Sequence, residues 1–262
     1  MGKGWKLGEY SGIGVFVHWS FMLLPAWIAI STLMGGGGIL EIVGSLVWIA
    51  AVFGCVVLHE FGHALAARQF GIGTKDITLL PIGGVARLDR IPRKPIQEFL
   101  IAVAGPAVNV VIAIGLGLVL YLTGSLTQSF SFSFVGGSFL FNLLAVNIGL
   151  VVFNMIPAFP MDGGRVFRSL LAFVLPYVKA TDIASAVGQV VAVGLGIAAI
   201  SFGEPMLFLL SAFVFFAGRA EAASVRQREA HRTAQRMGIL HEPLKPGMIT
   251  ILKTRGMNES WH

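Results

Sequence analysis

The sequence predicts an all-α polytopic membrane protein: six transmembrane helices, a three-span core formed by spans 2–4, and a short re-entrant β-hairpin between spans 2 and 3. Three observations lead there. Of 262 residues, 55% are hydrophobic and only 12% are charged, and the mean hydropathy is +0.80; so few charges cannot clothe a soluble surface. Apolar runs of membrane-crossing length recur between short polar or glycine-rich breaks. All 19 Lys and Arg residues fall at the two ends of the chain or in the loops after spans 2 and 4, and the three alternate loops carry none.

The spans follow in order. Span 1 runs from about Ile13 to Met34 and ends at the glycine turn Gly35–Gly38. Span 2 covers about Ile39 to Phe70, span 3 about Phe99 to Leu122, and span 4 about Phe139 to Ile156. Span 5, about Ala184 to Phe202, and span 6, about Met206 to Ala217, are joined by Gly203-Glu204-Pro205; span 6 is short for a crossing. Residues 1–218 form a membrane domain and 219–262 a basic tail, whose stretch from Gly218 to Gly238 reads as a helix lying on anionic lipid. Met1 to Tyr10 reads as a retained start with no removed signal peptide.

The placement of Lys and Arg puts both termini in the cytoplasm by the positive-inside rule, and a compact chain of this kind suits a cell inner (plasma) membrane. The net charge of +6 follows the loops, which argues against a nucleic-acid partner. The single cysteine, Cys55, lies within span 2, so neither a disulfide framework nor a cysteine metal cluster is expected.

Near the end of span 2 stands His59-Glu60-Phe61-Gly62-His63. On a helix, His59 and His63 project from one face about a turn apart. That spacing lets two imidazoles bind one Zn²⁺ and suits Glu60 to general-base work on a water beside it. The alternatives are a chance pattern or three polar residues packed for structure. The setting favours metal, because ionisable groups are costly in hydrocarbon and mark functional sites there. His63 lies five residues, roughly 7–8 Å, before Arg68, so the site is inside the membrane near its cytoplasmic face.

Between spans 2 and 3, Ile77 to Leu88 reads as two short apolar strands about Gly83-Gly84. One reading is an ordinary cytoplasmic hairpin. The other is a re-entrant hairpin whose open edge pairs with an extended peptide, with Gly83 and Gly84 as substrate-binding positions.

A catalytic zinc site usually has a third protein ligand, and the candidate is Asp162. It follows Asn154-Met155-Ile156-Pro157-Ala158-Phe159-Pro160-Met161, where the prolines stop span 4, and precedes Gly163-Gly164-Arg165. Asp162 is therefore expected on irregular backbone at the depth of the histidines. Spacing alone leaves a helix cap as an equal reading.

These paired motifs resemble the site-2 protease family of zinc intramembrane proteases. Ala104-Gly105-Pro106-Ala107-Val108-Asn109 and Val17-His18-Trp19-Ser20 are similar to that family as well, and the resemblance covers about residues 13–218. It implies that His59, His63 and Asp162 bind zinc, that Glu60 is the catalytic base, and that Asn154 positions the substrate carbonyl or its oxyanion. It implies that Gly105, Pro106 and Asn109 serve close packing rather than chemistry. The soluble regulatory domains of many relatives do not fit: no loop holds a PDZ domain, and the 44 residues after residue 218 are too few for a cystathionine-β-synthase-type pair. His18 reads either as an extra polar group near the site or as a satisfied helix histidine.

The function so implied is hydrolysis of peptide bonds in transmembrane segments of other proteins, with membrane lipid as the surrounding partner. A divalent-metal transporter is a competing class, although it would show internal repeats and polar groups spread over several spans. A catalytically inactive membrane scaffold is a third, against which an intact Glu60 argues.

Overall fold

The computed structural model describes residues 4–81, 83–90, 92, 94–125 and 138–237. The chain begins with strand β1 (Trp5–Tyr10) and strand β2 (Ile13–Val17), then a single 3-10 turn (Trp19–Met22) and helix α1 (Leu23–Met34). Helix α2 (Ile39–Gln69) is followed by strands β3 (Thr74–Leu80) and β4 (Gly83–Leu88). Helices α3 (Pro95–Leu122), α4 (Ser138–Asn154), α5 (Asp162–Leu171), α6 (Tyr177–Phe202) and α7 (Pro205–Arg236) complete it.

Among the described residues, four helices are long and apolar enough to cross a membrane: Ile39–Gln69, Pro95–Leu122, Tyr177–Phe202 and Pro205–Gln235. Trp19–Met34 and Phe139–Asn154 are shorter apolar helices. The protein is a multi-pass membrane protein.

It is not all-α. Strands β1-β2-β3-β4 form one mixed sheet in that order, with β2 and β3 parallel and the outer pairs antiparallel. The expected first span therefore starts as a strand. Ile13, Val15 and Val17 are buried while Gly14 and Phe16 are half-buried, the period of two that a one-sided strand requires. Ser11 and Gly12 both have positive φ, 53° and 77°, as a two-residue hairpin turn with the right twist demands. A parallel neighbour needs a long crossover, which α1 and α2 supply. His18 caps the 3-10 turn: its Nδ1 lies 2.7 Å from Ser20 Oγ and accepts from Ser20 N at 3.3 Å. It is a satisfied histidine.

Two further expectations change at the C-terminal side. Asp162 does not sit on irregular backbone; it is the first residue of α5, an amphipathic helix that the Gly163-Gly164 pair concealed from propensity. The basic stretch after residue 218 is not a separate helix on the lipid surface, because α7 runs unbroken from Pro205 to Arg236. Its second half packs on protein, burying Ala222 and Val225, and Arg226 Nε donates to Asp182 Oδ1 of α6 at 2.9 Å.

A buried charge cluster holds α5. Arg168, 2% exposed, donates from Nε to Glu98 Oε1 of α3 at 2.9 Å and from a terminal nitrogen to Glu221 Oε1 of α7 at 2.6 Å. Its guanidinium lies over the rings of Phe159 and Tyr177, 4.9 and 5.0 Å from their centroids. Desolvated charges repay their cost only when paired in this way. The helix that begins with Asp162 is thus tied to α3 and α7 at once.

Candidate metal centre

Helix α2 has 31 residues, about 46 Å of rise, and His59 lies 20 residues, about 30 Å, beyond Ile39. His59 and His63 share one buried face of it, at 6% and 5% exposure. Neighbouring α3 comes very close: a Cβ on Gly62 would lie 2.6 Å from the Ala104 carbonyl oxygen. Gly105 faces the two imidazoles, and a Cβ there would sit 2.7 Å from His59 Nε2. Any side chain at Gly105 would occupy the space that the imidazole nitrogens face.

Asp162 joins them from α5. Its Oδ2 is 3.1 Å from His59 Nε2 and 3.1 Å from His63 Nε2, and the two Nε2 atoms are themselves 3.1 Å apart. His63 Nδ1 donates to the carbonyl oxygen of Ile101 at 2.7 Å; a carbonyl only accepts, so Nδ1 carries a proton, and in the neutral imidazole Nε2 keeps the lone pair. His59 Nδ1 lies 2.5 Å from Asn109 Oδ1.

The donor set fits a metal ion. Two imidazole nitrogens and a carboxylate oxygen converge as a near-equilateral triangle, buried together at the start of α5 and the end of α2. Tetrahedral zinc, with ligands at about 2.0–2.1 Å, sets neighbouring donors about 3.4 Å apart, close to the observed spacing. Lone pairs gathered this closely without a cation would repel, and His₂-carboxylate is a zinc donor set that leaves a position open.

Glu60, on the adjacent turn of α2, faces the hairpin rather than the triangle. Its Oε2 accepts a hydrogen bond from Ala86 N at 3.2 Å, and a Cβ on Gly84 would meet its Cγ at 2.8 Å. The side chain of Asn154, the last residue of α4, makes no hydrogen bond among the described residues. Glu60, Gly83, Gly84 and Asn154 nevertheless line one cavity with His59, together with Phe53, Val56 and Pro81. The seven residues named from sequence as candidate base, metal ligands or substrate contacts therefore lie in the metal group or line this cavity.

Residues 47–195, more than half of the chain, match the model of peptidase family M50. The chain belongs to that family. It is 34% identical over 220 residues to a zinc metalloprotease of Methanocaldococcus jannaschii, covering 84% of this chain and 61% of the relative. It is 33% identical over 211 residues to a putative zinc metalloprotease of Synechocystis, covering 78% of this chain and 53% of that protein. The chain thus spans between half and two thirds of the length of these curated relatives. The solved site-2 protease from Methanocaldococcus jannaschii superposes with a TM-score of 0.59 at 32% identity, covering 84% of this chain and 95% of that one. This M50 chain has the site-2 protease fold.

One assignment needs correction. Asn109 was expected to serve packing alone, yet its side chain meets His59 Nδ1, and it is wholly buried. The signal was present in the sequence: an amide in an apolar helix needs a partner, and polar residues within the membrane mark sites.

Proposed function

We propose that this chain is an intramembrane zinc endopeptidase that hydrolyses peptide bonds in transmembrane segments of other membrane proteins. The observation that carries the reading is the cavity of about 260 Å³ lined by His59, Glu60, Gly83, Gly84 and Asn154, directly beside the three convergent donors. A candidate base, a candidate carbonyl ligand and a strand edge border one space.

His59, His63 and Asp162 hold the zinc, which when bound supplies Lewis acidity toward the scissile carbonyl and the attacking water. Glu60 accepts the proton of that water and later delivers it to the leaving amine. The Asn154 amide orients the carbonyl and donates to the oxygen on which charge develops. A transmembrane helix hides its peptide bonds in its own hydrogen bonds, so a segment must unwind before it is cut. Strand β4 ends the sheet and can take such a segment as an added strand, with Gly83 open beside it and Gly84 making room for Glu60.

Six spans fit this function, with the shorter helices Trp19–Met34 and Phe139–Asn154 as spans 1 and 4. The hairpin of β3 and β4 is then re-entrant, and the Lys/Arg pattern puts both termini in the cytoplasm of a cell inner membrane. The membrane domain extends through residue 218, with the basic remainder on the cytoplasmic side.

The test uses the full chain in proteoliposomes with a membrane-spanning peptide. The wild type is expected to carry about one zinc per chain and to cut the peptide. Glu60→Gln is expected to keep zinc while turnover falls about 10²–10⁴-fold. Unchanged turnover in that variant, or zinc flux without cleavage, would overturn the proposal.

A further inference from the structure

The contact between His59 and Asn109 is the first of three buried hydrogen bonds in a row. Asn109 Nδ2 donates to Asn147 Oδ1 of α4 at 2.9 Å. Asn147 Nδ2 donates in turn to the carbonyl oxygen of Leu143, one turn back in α4, at 2.8 Å, and lies 3.4 Å from Cys55 Sγ of α2. Both asparagines have no exposed surface. Bulk solvent does not reach these groups, and an unmatched pair would carry its full desolvation cost.

Each amide has one accepting end and one donating end, so the row has a direction. The end at Leu143 sets it. A backbone carbonyl can only accept, so Asn147 must turn its NH₂ toward Leu143 and its oxygen toward Asn109. Asn109 must then give its NH₂ to Asn147, which leaves its oxygen facing His59. An oxygen there requires a proton on His59 Nδ1, which in the neutral imidazole leaves the lone pair on Nε2. Turning both amides over would set Asn147 Oδ1 against the Leu143 oxygen. It would also move the histidine proton to Nε2, the atom 3.1 Å from Asp162 Oδ2.

Resting on the zinc-binding reading above, we propose that Asn109 and Asn147 form a positioning relay, by which a main-chain carbonyl of α4 fixes His59 in the tautomer that can ligate zinc. His63 needs no relay, since Ile101 supplies a carbonyl directly. Asn109 and Asn147 touch neither substrate nor metal; they act through His59.

The apo wild-type protein gives a measurement that requires no variant. Nitrogen-15 NMR of labelled histidine is expected to show His59 protonated on Nδ1; an Nδ1 without its proton would overturn the relay. The second measurement is the affinity of the full chain for zinc ion alone, by competition with a chelator. Asn147→Leu keeps the volume and removes the direction, and is expected to weaken zinc about tenfold. In an Asn109→Asp background the same change should have less than about a twofold effect, because a carboxylate accepts from His59 whichever way it turns. Equal losses in both backgrounds would show that Asn147 matters only for packing and would overturn the relay. Wild-type affinity in Asn147→Leu would do the same. A wild-type chain that binds no zinc would instead sink the underlying metal reading.

Discussion

Glu60 Oε2 accepts its hydrogen bond from the backbone N–H of Ala86, 3.2 Å away, so the proposed base is held by a strand and not by another side chain. Ala86 stands opposite Ile77 in the β3–β4 ladder, and its N–H is turned out of the sheet toward α2. Proline is tolerated at such a position, because an edge strand loses no ladder bond on its outer side. Ala86→Pro should keep zinc and fold but lower turnover about tenfold or more, the usual worth of a hydrogen bond to a charged group. Cleavage rate and metal content measured on one preparation check this, and wild-type turnover would show that the N–H does not orient Glu60.

Asp162 and Asn154 should separate by phenotype. Asp162→Asn replaces an anionic donor with a neutral amide between His59 and His63. Zinc binding and activity should fall together. Asn154→Ala should keep about one zinc per chain while turnover drops about 10²–10³-fold, the cost of losing one donor to a developing oxyanion. Zinc analysis with single-turnover cleavage distinguishes the two, and full zinc retention in Asp162→Asn would remove it from the ligand set.

Arg168→Met leaves Glu98, 1% exposed, as an uncompensated buried charge. Breaking one side of a buried pair costs about 3–5 kcal/mol, so thermal unfolding in detergent should shift down by many degrees. Adding Glu98→Gln should recover much of that loss. No recovery in the double variant would mean that Glu221 and the aromatic rings, not Glu98, hold the guanidinium.

Topology has its own measurement. Cysteine labels at Gly36 and Gly203 should react from the outer side, and labels at Lys75, Lys179 and Arg228 from the cytoplasm. An outward-facing Lys179 would break the six-span arrangement.

The helical spans and the metal group were legible because their signals are local and chemical. A His-x₃-His pair, or a long apolar run, declares itself within a few residues. The strand Ile13–Val17 was hidden because its apolar run joins that of α1, and short apolar runs do not distinguish strand from helix. The β-branched residues Ile13, Val15 and Val17 at alternate positions were the available clue, but the parallel partner β3 lies a crossover away. Helix α5 was masked by Gly163 and Gly164, which lower propensity; tertiary ties through Arg168 override that. The role of Asn109 depends on which atom of His59 it meets, and no one-dimensional pattern contains that.

The 103 residues that separate His59 from Asp162 also put the site on a schedule. At a synthesis rate of about 5–20 residues per second, roughly 5–20 s pass between emergence of the histidines and arrival of the carboxylate. Until then, α2 and α3 can be made and inserted, but the nascent chain has only two of its three donors. The proposed metal site is therefore incomplete for that whole interval. The donor set closes only when the chain's own α5 has docked.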